Sequence, residues 1–433
     1  MNPSNPQWPT TTKSYKELKA QIESDANFRT ALLTSLTIAQ HKAWSTLDQD
    51  LYYALDNVFG GSGQGWPLST ESYLNYIKEY LVLIPNEVDE PMHPDAWTSN
   101  DQQNGYNQKV YDLLCQFYFL VDQPLPETGS TLQNYTNGDF VFADWLRDFA
   151  IDWGAFLNTE ESYPLWAKAS FFADPMYNMP WYQDNASTWK TFNNFFYREF
   201  NGADDKGHSP LRPIAEPGNN NAISSPADCT YKMEYPIDAN GNVLGINGKP
   251  TTITLKNTHT IATVEELLQD AELAAHFNEG HFVHYFLSPF DYHRFHSPVS
   301  GTVKACKAVQ GKVFLDVNLT SDGQFDAPDT SEGGYEFQQA RGVFVVDTGG
   351  PMGLIAAVPI GMAQVSGVDM YDLEGKTVAK GDEFGKFLFG GSDTILLFQK
   401  NPNLYLWKND PGHNPIHFQF GQVAAYWDVN QQQ

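Results

Sequence analysis

Three short stretches of this 433-residue sequence carry residues that could together activate a nucleophile. Asp228 lies in a Pro-Ala-Asp turn within SSPADCTY. His293 and His296, with Arg294 between them, lie in SPFDYHRFHSPVSGTV. Ser392 follows Gly390 and Gly391 at the mouth of an apolar run, FGGSDTILLF. A hydroxyl is a weak nucleophile until a neighbouring base takes its proton, and a carboxylate helps an imidazole carry that proton. Each stretch also has a plainer reading. Asp favours turns through its own backbone hydrogen bonds, Gly-Ser at a strand edge makes a turn, and the histidines can be structural. His281 and His284 add a second HxxH pair just upstream. No carboxylate or Cys completes a recognisable ligand spacing, so no metal is expected.

The elements that must hold these residues change character near residue 200. The first 200 residues read as helical. SYKELKAQIESD opens with Ser14 and Glu17 in capping-box spacing, and NFRTALLTSL places Phe28, Leu32 and Leu36 on one face. KVYDLLCQFYFLV and FADWLRDFAIDWGAFLN are aromatic-rich helices suited to burial. TFNNFFYREF, Thr191 to Phe200, reads as one more amphipathic helix. Asn201 to Asn221 is crowded with Gly, Pro, Asn and Asp, which marks a connector. Beyond it TTITLKN, HFVHYFLS, TVKACKAV, KVFLDVNL, GVFVVDT, LIAAVPIGMAQVSGV and TILLFQK are β-rich segments between turns, with TSDGQFDAPDTSEGGYEFQQA a polar loop. The pattern predicts an α+β protein. A helical N-terminal region, 1–200, packs on a β-rich domain, 201–433, dominated by antiparallel strands.

Composition narrows the partners. Asp and Glu number 52 against 26 Lys and Arg, a formal charge of −26, which repels phosphate backbones and anionic lipid head groups and argues against nucleic acid as a partner. No run of 18 apolar residues occurs, so no transmembrane segment is expected. The N-terminus shows no basic stretch followed by an apolar one. Cys115, Cys229 and Cys306 are widely spaced and form no CxxC, which suits a reduced, cytoplasmic protein.

Taken together, TFNNFFYREF, RPIAEPGNNNAISSPADC, LSPFDYHRFHSPVSGTV, IGMAQVSGV and KGDEFGKFLFGGSDTILLF resemble, in order, the phosphatidylserine decarboxylase family. Its members cut themselves and make their own pyruvoyl cofactor. The resemblance implies a cut between Gly391 and Ser392, with glycine leaving the carbonyl open and the backbone free to adopt a strained turn. Ser392 would attack that carbonyl and end as a covalent pyruvoyl group. The family pattern gives His296 as the base, Asp228 as the group that orients and stabilises its imidazolium, and His293 as a helper in decarboxylation and reprotonation. The pyruvoyl carbonyl would form a Schiff base with the substrate amine and accept the electron pair released as CO2 leaves. The small fragment, the 42 residues from Ser392 to Gln433, would stay bound because its first strand completes the sheet.

The N-terminal segments ELKAQIESD and FAIDWGAFLNTEES are similar to the soluble branch of the family, which includes fungal tryptophan decarboxylases. With the acidic charge and the lack of a polybasic cluster, they favour a free, aromatic L-amino acid as substrate; phosphatidylserine is the alternative. The sequence departs from membrane members at Cys229, Phe290 and Asp393, where Gly, Arg and Thr are common in the family. Asp393, beside the cut, is expected to point away from the developing oxyanion. An uncleaved Ser/His/Asp hydrolase and a non-catalytic binding protein are the readings from other classes. The first lacks a G-x-S-x-G elbow and the second leaves the retained site residues unused.

Overall fold

The computed structural model describes residues 8–59, 63–86, 105–183, 188–245, 247–250, 252–255, 258–313, 315–327, 337–362, 367–389, 391–401, 403–410 and 412–427. They fall into two compact units. The first comprises Met1–Met179, Lys190–Phe192 and Lys312–Asp329. The second comprises Pro180–Trp189, Asn193–Gly311 and Thr330–Gln433. With helices in the first and antiparallel sheets in the second, the class is α+β.

The first unit is built on α1 (Lys13–Ser24), α2 (Ala26–Thr46), α3 (Thr70–Tyr80), α4 (Gly105–Val121) and α5 (Phe142–Leu157). Phe28, Leu32 and Leu36 are fully buried, as their spacing on α2 predicts. The N-terminus of α1 differs from the expected capping box. Thr12 is the cap, its hydroxyl accepting from the Tyr15 N–H at 3.3 Å. Ser14 sits inside the helix and donates both its N–H and its hydroxyl to Asp152 of α5, at 2.8 and 2.6 Å. A carboxylate 138 residues away has taken the group that a local motif would have used. The aromatic residues form the core of this unit. Phe117 stacks on Phe149 at 4.9 Å between centroids, and Tyr80 meets Trp153 edge-on at 5.2 Å. Burying each such ring contributes roughly 1.5–3 kcal/mol.

Three predicted segments come out differently, the first being KVFLDVNL, which among its described residues is strand only at Asn318–Leu319. Part of the polar loop is a hairpin, Asn318–Leu319 against Phe325–Asp326, that belongs to the helical unit. Its Gly323, at φ +83°, offers its carbonyl to the Asp48 N–H at 2.8 Å, and Phe325 meets Phe119 at 5.6 Å. Residues 328–336 of that loop lie outside the described residues. The predicted helix over Thr191 to Phe200 is confined to Phe192–Phe196. Arg198 is buried, donates to the carbonyls of Phe290 and Asp291 at 2.6 and 3.1 Å, and lies over the Tyr182 ring. Satisfying that guanidinium takes the chain out of the helix.

In the second unit the strands used below are β1 (Cys229–Pro236), β2 (His281–Leu287), β3 (Arg294–His296), β4 (Gly301–Val309), β5 (Arg341–Asp347), β6 (Leu354–Met362), β7 (Val368–Met370), β8 (Thr377–Val378), β9 (Glu383–Phe387), β10 (Gly391–Phe398) and β11 (His417–Phe418). Eight of them form one sheet in the order β8-β4-β5-β6-β10-β2-β1-β11. A three-stranded sheet follows the order β7-β9-β3. Every pair is antiparallel.

β10 is an interior strand, with β6 on one side and β2 on the other. Its side chains alternate between faces. Ile395 and Leu397 lie with Val358, Ile360, Phe282, Leu267 and Leu268 in an apolar core, and short helices at Val264–Leu268 and Ala271–Ala275 cover that face. The register places Ser392, Thr394 and Leu396 on the opposite face, with Ala357 and Phe344. Phe344 stacks on Phe384 of β9 at 3.9 Å, so this second face meets the three-stranded sheet.

Candidate active site

Gly391 and Ser392 open β10. Gly391 pairs with Met362, and Ser392 with Gly361 and Leu287. Gly390 lies outside the described residues. Ser392 is completely buried, and the pleat turns it toward the layer that holds the histidines. Asp393, also completely buried, points to the other face, as the sequence led us to expect of this carboxylate.

The β3–β9 ladder arranges the histidines in line. His296 pairs with Glu383 at the start of β9, and the His293 carbonyl accepts from the Phe387 N–H at 2.9 Å at its end. From that end the chain runs through Phe389 to the Gly391–Ser392 bond. Asn193 holds this run by accepting the Phe389 N–H at 3.0 Å. Phe196 packs on Phe389 at 5.3 Å and stacks on the His293 imidazole at 3.9 Å. His293 is fully buried, and neither ring nitrogen makes a hydrogen bond of ordinary geometry among the described residues. Burial, followed by the nearby Arg198 charge, pushes its pKa well below the usual imidazole value. It is a neutral histidine in a dry, aromatic setting, with the Asp291 backbone as its polar neighbour.

His296 is held more tightly. Its Nδ1 lies 2.8 Å from the Gly381 carbonyl oxygen, which can only accept, so Nδ1 carries the proton. Nε2 keeps its lone pair and accepts from the Tyr292 hydroxyl at 3.2 Å. Phe420 stacks on the ring at 3.9 Å. Gly207, at φ +80°, lets its loop pass close by, because a Cβ there would come within 2.8 Å of the His296 Cε1. Beside Gly381, the Lys380 ammonium donates to the carbonyls of Ala215, Glu216, Asn219 and Ala222, which fixes the turn that supplies the acceptor. Burial pushes the His296 pKa down to about 3.

Asp228 does not hydrogen-bond His296. Its carboxylate accepts from Arg212 Nη2 at 2.8 Å and from the Phe420 N–H at 2.8 Å. The direct contact implied by the resemblance is thus replaced by an indirect one. Phe420 ties Asp228 through its backbone and touches His296 with its ring. The Asp228 charge acts on His296 through space, favouring the imidazolium. The cause is Arg212, a buried cation that needs a carboxylate more than a neutral imidazole does. Sequence reasoning missed Arg212, Tyr292, Gly381 and Phe420. Arg212 and Tyr292 lie inside or beside the quoted runs, but nothing in their spacing says what they reach. His281 and His284 lie on opposite faces of β2, paired with Glu234 and Asp393, and so do not share a ligand. No group of side chains suited to a metal occurs among the described residues.

These shifts fix a pH dependence. Below about 6.5 the unfolded chain takes up protons on His293 and His296 that the folded chain refuses, so stability falls with acidification by on the order of 1 kcal/mol per pH unit for each. His417, raised by its hydrogen bond to Asp291, works the other way. The expected net result is a melting temperature that drops from pH 7 to pH 5. A melting temperature that rises over that range would contradict the neutral, buried state of the two histidines.

Residues 192–425 match the family Phosphatidylserine decarboxylase, a span that contains Asp228, His293, His296, Gly391 and Ser392. The phosphatidylserine decarboxylase proenzyme of Fusobacterium nucleatum is 30% identical over 257 residues, 59% of this chain and 75% of that protein. Proenzyme 3 of Schizosaccharomyces pombe is 32% identical over 212 residues, 49% of this chain and 19% of its own length. The Chlamydia trachomatis proenzyme is 29% identical over 209 residues, 48% of this chain and 60% of its own. The chain thus spans less than two thirds of the length of two of these three relatives.

Proposed function

The chain belongs to the phosphatidylserine decarboxylase family, and we propose that it cuts itself between Gly391 and Ser392 and then removes CO2 from phosphatidylserine. The observation that carries the reading is the placement of Ser392. It is buried at the head of an interior strand, on the face that meets the layer bearing His293 and His296.

In the cut, the Ser392 hydroxyl attacks the Gly391 carbonyl carbon, its proton passing to Nε2 of neutral His296. The C–N bond then breaks, the nitrogen of residue 392 takes the proton back, and an ester joins the two halves. Removal of the α-proton of residue 392 breaks the Cβ–O bond and frees Gly391 as a carboxylate. Water then replaces the nitrogen, which leaves as ammonia, and residue 392 becomes a pyruvoyl group. The surroundings suit that group. Ser392 is buried, and the neutral His293 imidazole belongs to the same layer. The pyruvoyl carbonyl supplies an electron sink for a carboxylate leaving from a primary amine. His293, neutral and held by Phe196, would move the proton that the substrate carbon must regain.

The relatives' names support phosphatidylserine over the free aromatic amino acid that the N-terminal segments suggested. The aromatic helices that could have lined an amino-acid pocket are packed core. The charge of −26 still favours a soluble amino acid, and among the described residues no helix is long and apolar enough to cross a membrane. A cytoplasmic location is part of the proposal, supported by the free thiols of Cys115, Cys229 and Cys306. The deciding assay offers the purified protein phosphatidylserine in detergent micelles and, separately, L-tryptophan. Phosphatidylethanolamine from the first and no CO2 from the second is the expected outcome. CO2 from tryptophan alone would overturn the lipid reading and restore the amino-acid one.

A further inference from the structure

We propose that the buried pair His284–Asp393 is a positioning device that holds the head of β10 in register once the chain has been cut, an inference that rests on the self-cleavage above. His284 Nε2 lies 3.3 Å from Asp393 Oδ1, and both side chains are buried, at 2% and 0% exposure. The pair sits on the opposite face from Ser392, one residue beyond the bond that breaks, where its neighbours along β10 are the apolar Ile395 and Leu397.

Before the cut, residue 392 is held from both sides along the chain. Afterwards it is a strand terminus, and termini open for little free energy. A pyruvoyl group that frays with its strand would be useless as a fixed reagent. Asp393 opposes that fraying. Residues 392 and 393 share one planar amide, so fixing one orients the other. Swinging residue 393 outward would separate two buried polar groups that lie against each other, and stranding such a group costs about 1–3 kcal/mol. A slip of one residue would throw Asp393 onto the wrong face and break the same contact. The pair also joins the two products of the cut, since Asp393 belongs to the small fragment and His284 to the large one. Two leucines would pack in this apolar neighbourhood at least as stably, so stability alone does not account for two polar side chains here.

The test uses the fully self-cut protein and phenylhydrazine, which condenses with a ketone carbonyl, expelling its oxygen as water and leaving a coloured hydrazone. Asp393→Asn replaces the carboxyl group by an amide at constant size. The double variant His284→Leu, Asp393→Leu replaces the pair by apolar packing and covers the case in which the single variant does not fold. Both variants are expected to cut themselves and then form the hydrazone about tenfold faster than wild type, because the frayed carbonyl is exposed more often. The double variant should do so while melting at or above the wild-type temperature, which separates loss of position from loss of stability. Hydrazone formation within about twofold of wild type in either variant would overturn the proposal. So would a folded Asp393→Asn chain that fails to cut itself, since the pair would then be needed before the cut rather than after it. A wild-type chain that yields neither fragments nor hydrazone would fail at the earlier step and take self-cleavage down with it.

Discussion

A Ser392→Ala chain is expected to remain in one piece of 433 residues under conditions in which the wild type is cut to completion. The substitution removes the attacking oxygen, and neither strand neighbour supplies another. Of its strand neighbours, Gly391 and Asp393, the first has no side chain and the second faces away. The loss should be at least about a thousandfold in rate, or about 4 kcal/mol of barrier at 1.36 kcal/mol per tenfold. The fold should survive. Deleting one buried hydroxyl from an interior strand costs about 1–3 kcal/mol at most, against a strand that buries Ile395, Leu396 and Leu397 on its two faces. A cooperatively melting chain with no fragments would therefore tie the cut to this oxygen. Continued cutting at 391–392 would mean that another nucleophile does the work.

The second large effect separates the two histidines. His296→Ala should slow self-cleavage by about 10²–10⁴, the usual contribution of a positioned general base. His293→Ala should still cut and then fail at decarboxylation by a similar factor. Nε2 of His296 carries the lone pair and accepts from the Tyr292 hydroxyl, and in the proposed cut it is the nitrogen that takes the proton of Ser392. With its pKa near 3, that lone pair stays available across the neutral range, and the cleavage rate should not fall between pH 7 and pH 5 as it would for an ordinary imidazole. A time course on denaturing gels at several pH values reads both points. Normal cleavage by His296→Ala would remove it as the base. The ladder places His293 at the end of β9 nearer the scissile bond, so His293 would then be the next candidate.

Much of this was legible in the residues themselves. Local periodicity located α2 through Phe28, Leu32 and Leu36, and the change of period beyond the Asn201–Asn221 connector located the strands. The cost of a carboxylate beside a developing oxyanion was enough to expect Asp393 to point away from the cut, and the alternation of β10 is how the strand does it. What stayed hidden depends on pairings between distant residues. Ser14 reads as a cap until Asp152 claims it. Asp228 reads as the partner of His296 until Arg212, 16 residues earlier, proves to be buried beside it. The hairpin at Asn318–Asp326 reads as a polar loop until Asp48 and Phe119 meet it. A polar residue's type states what it needs, and only the fold states who supplies it.

The most direct test of self-cleavage to a pyruvoyl enzyme is an intact mass spectrum of the purified, denatured protein. Two species are expected: a large fragment ending in the Gly391 carboxylate, and a 42-residue fragment lighter by one ammonia than a peptide beginning with Ser392. A single mass for the whole chain after prolonged incubation would contradict it, and so would a small fragment that retains its N-terminal serine.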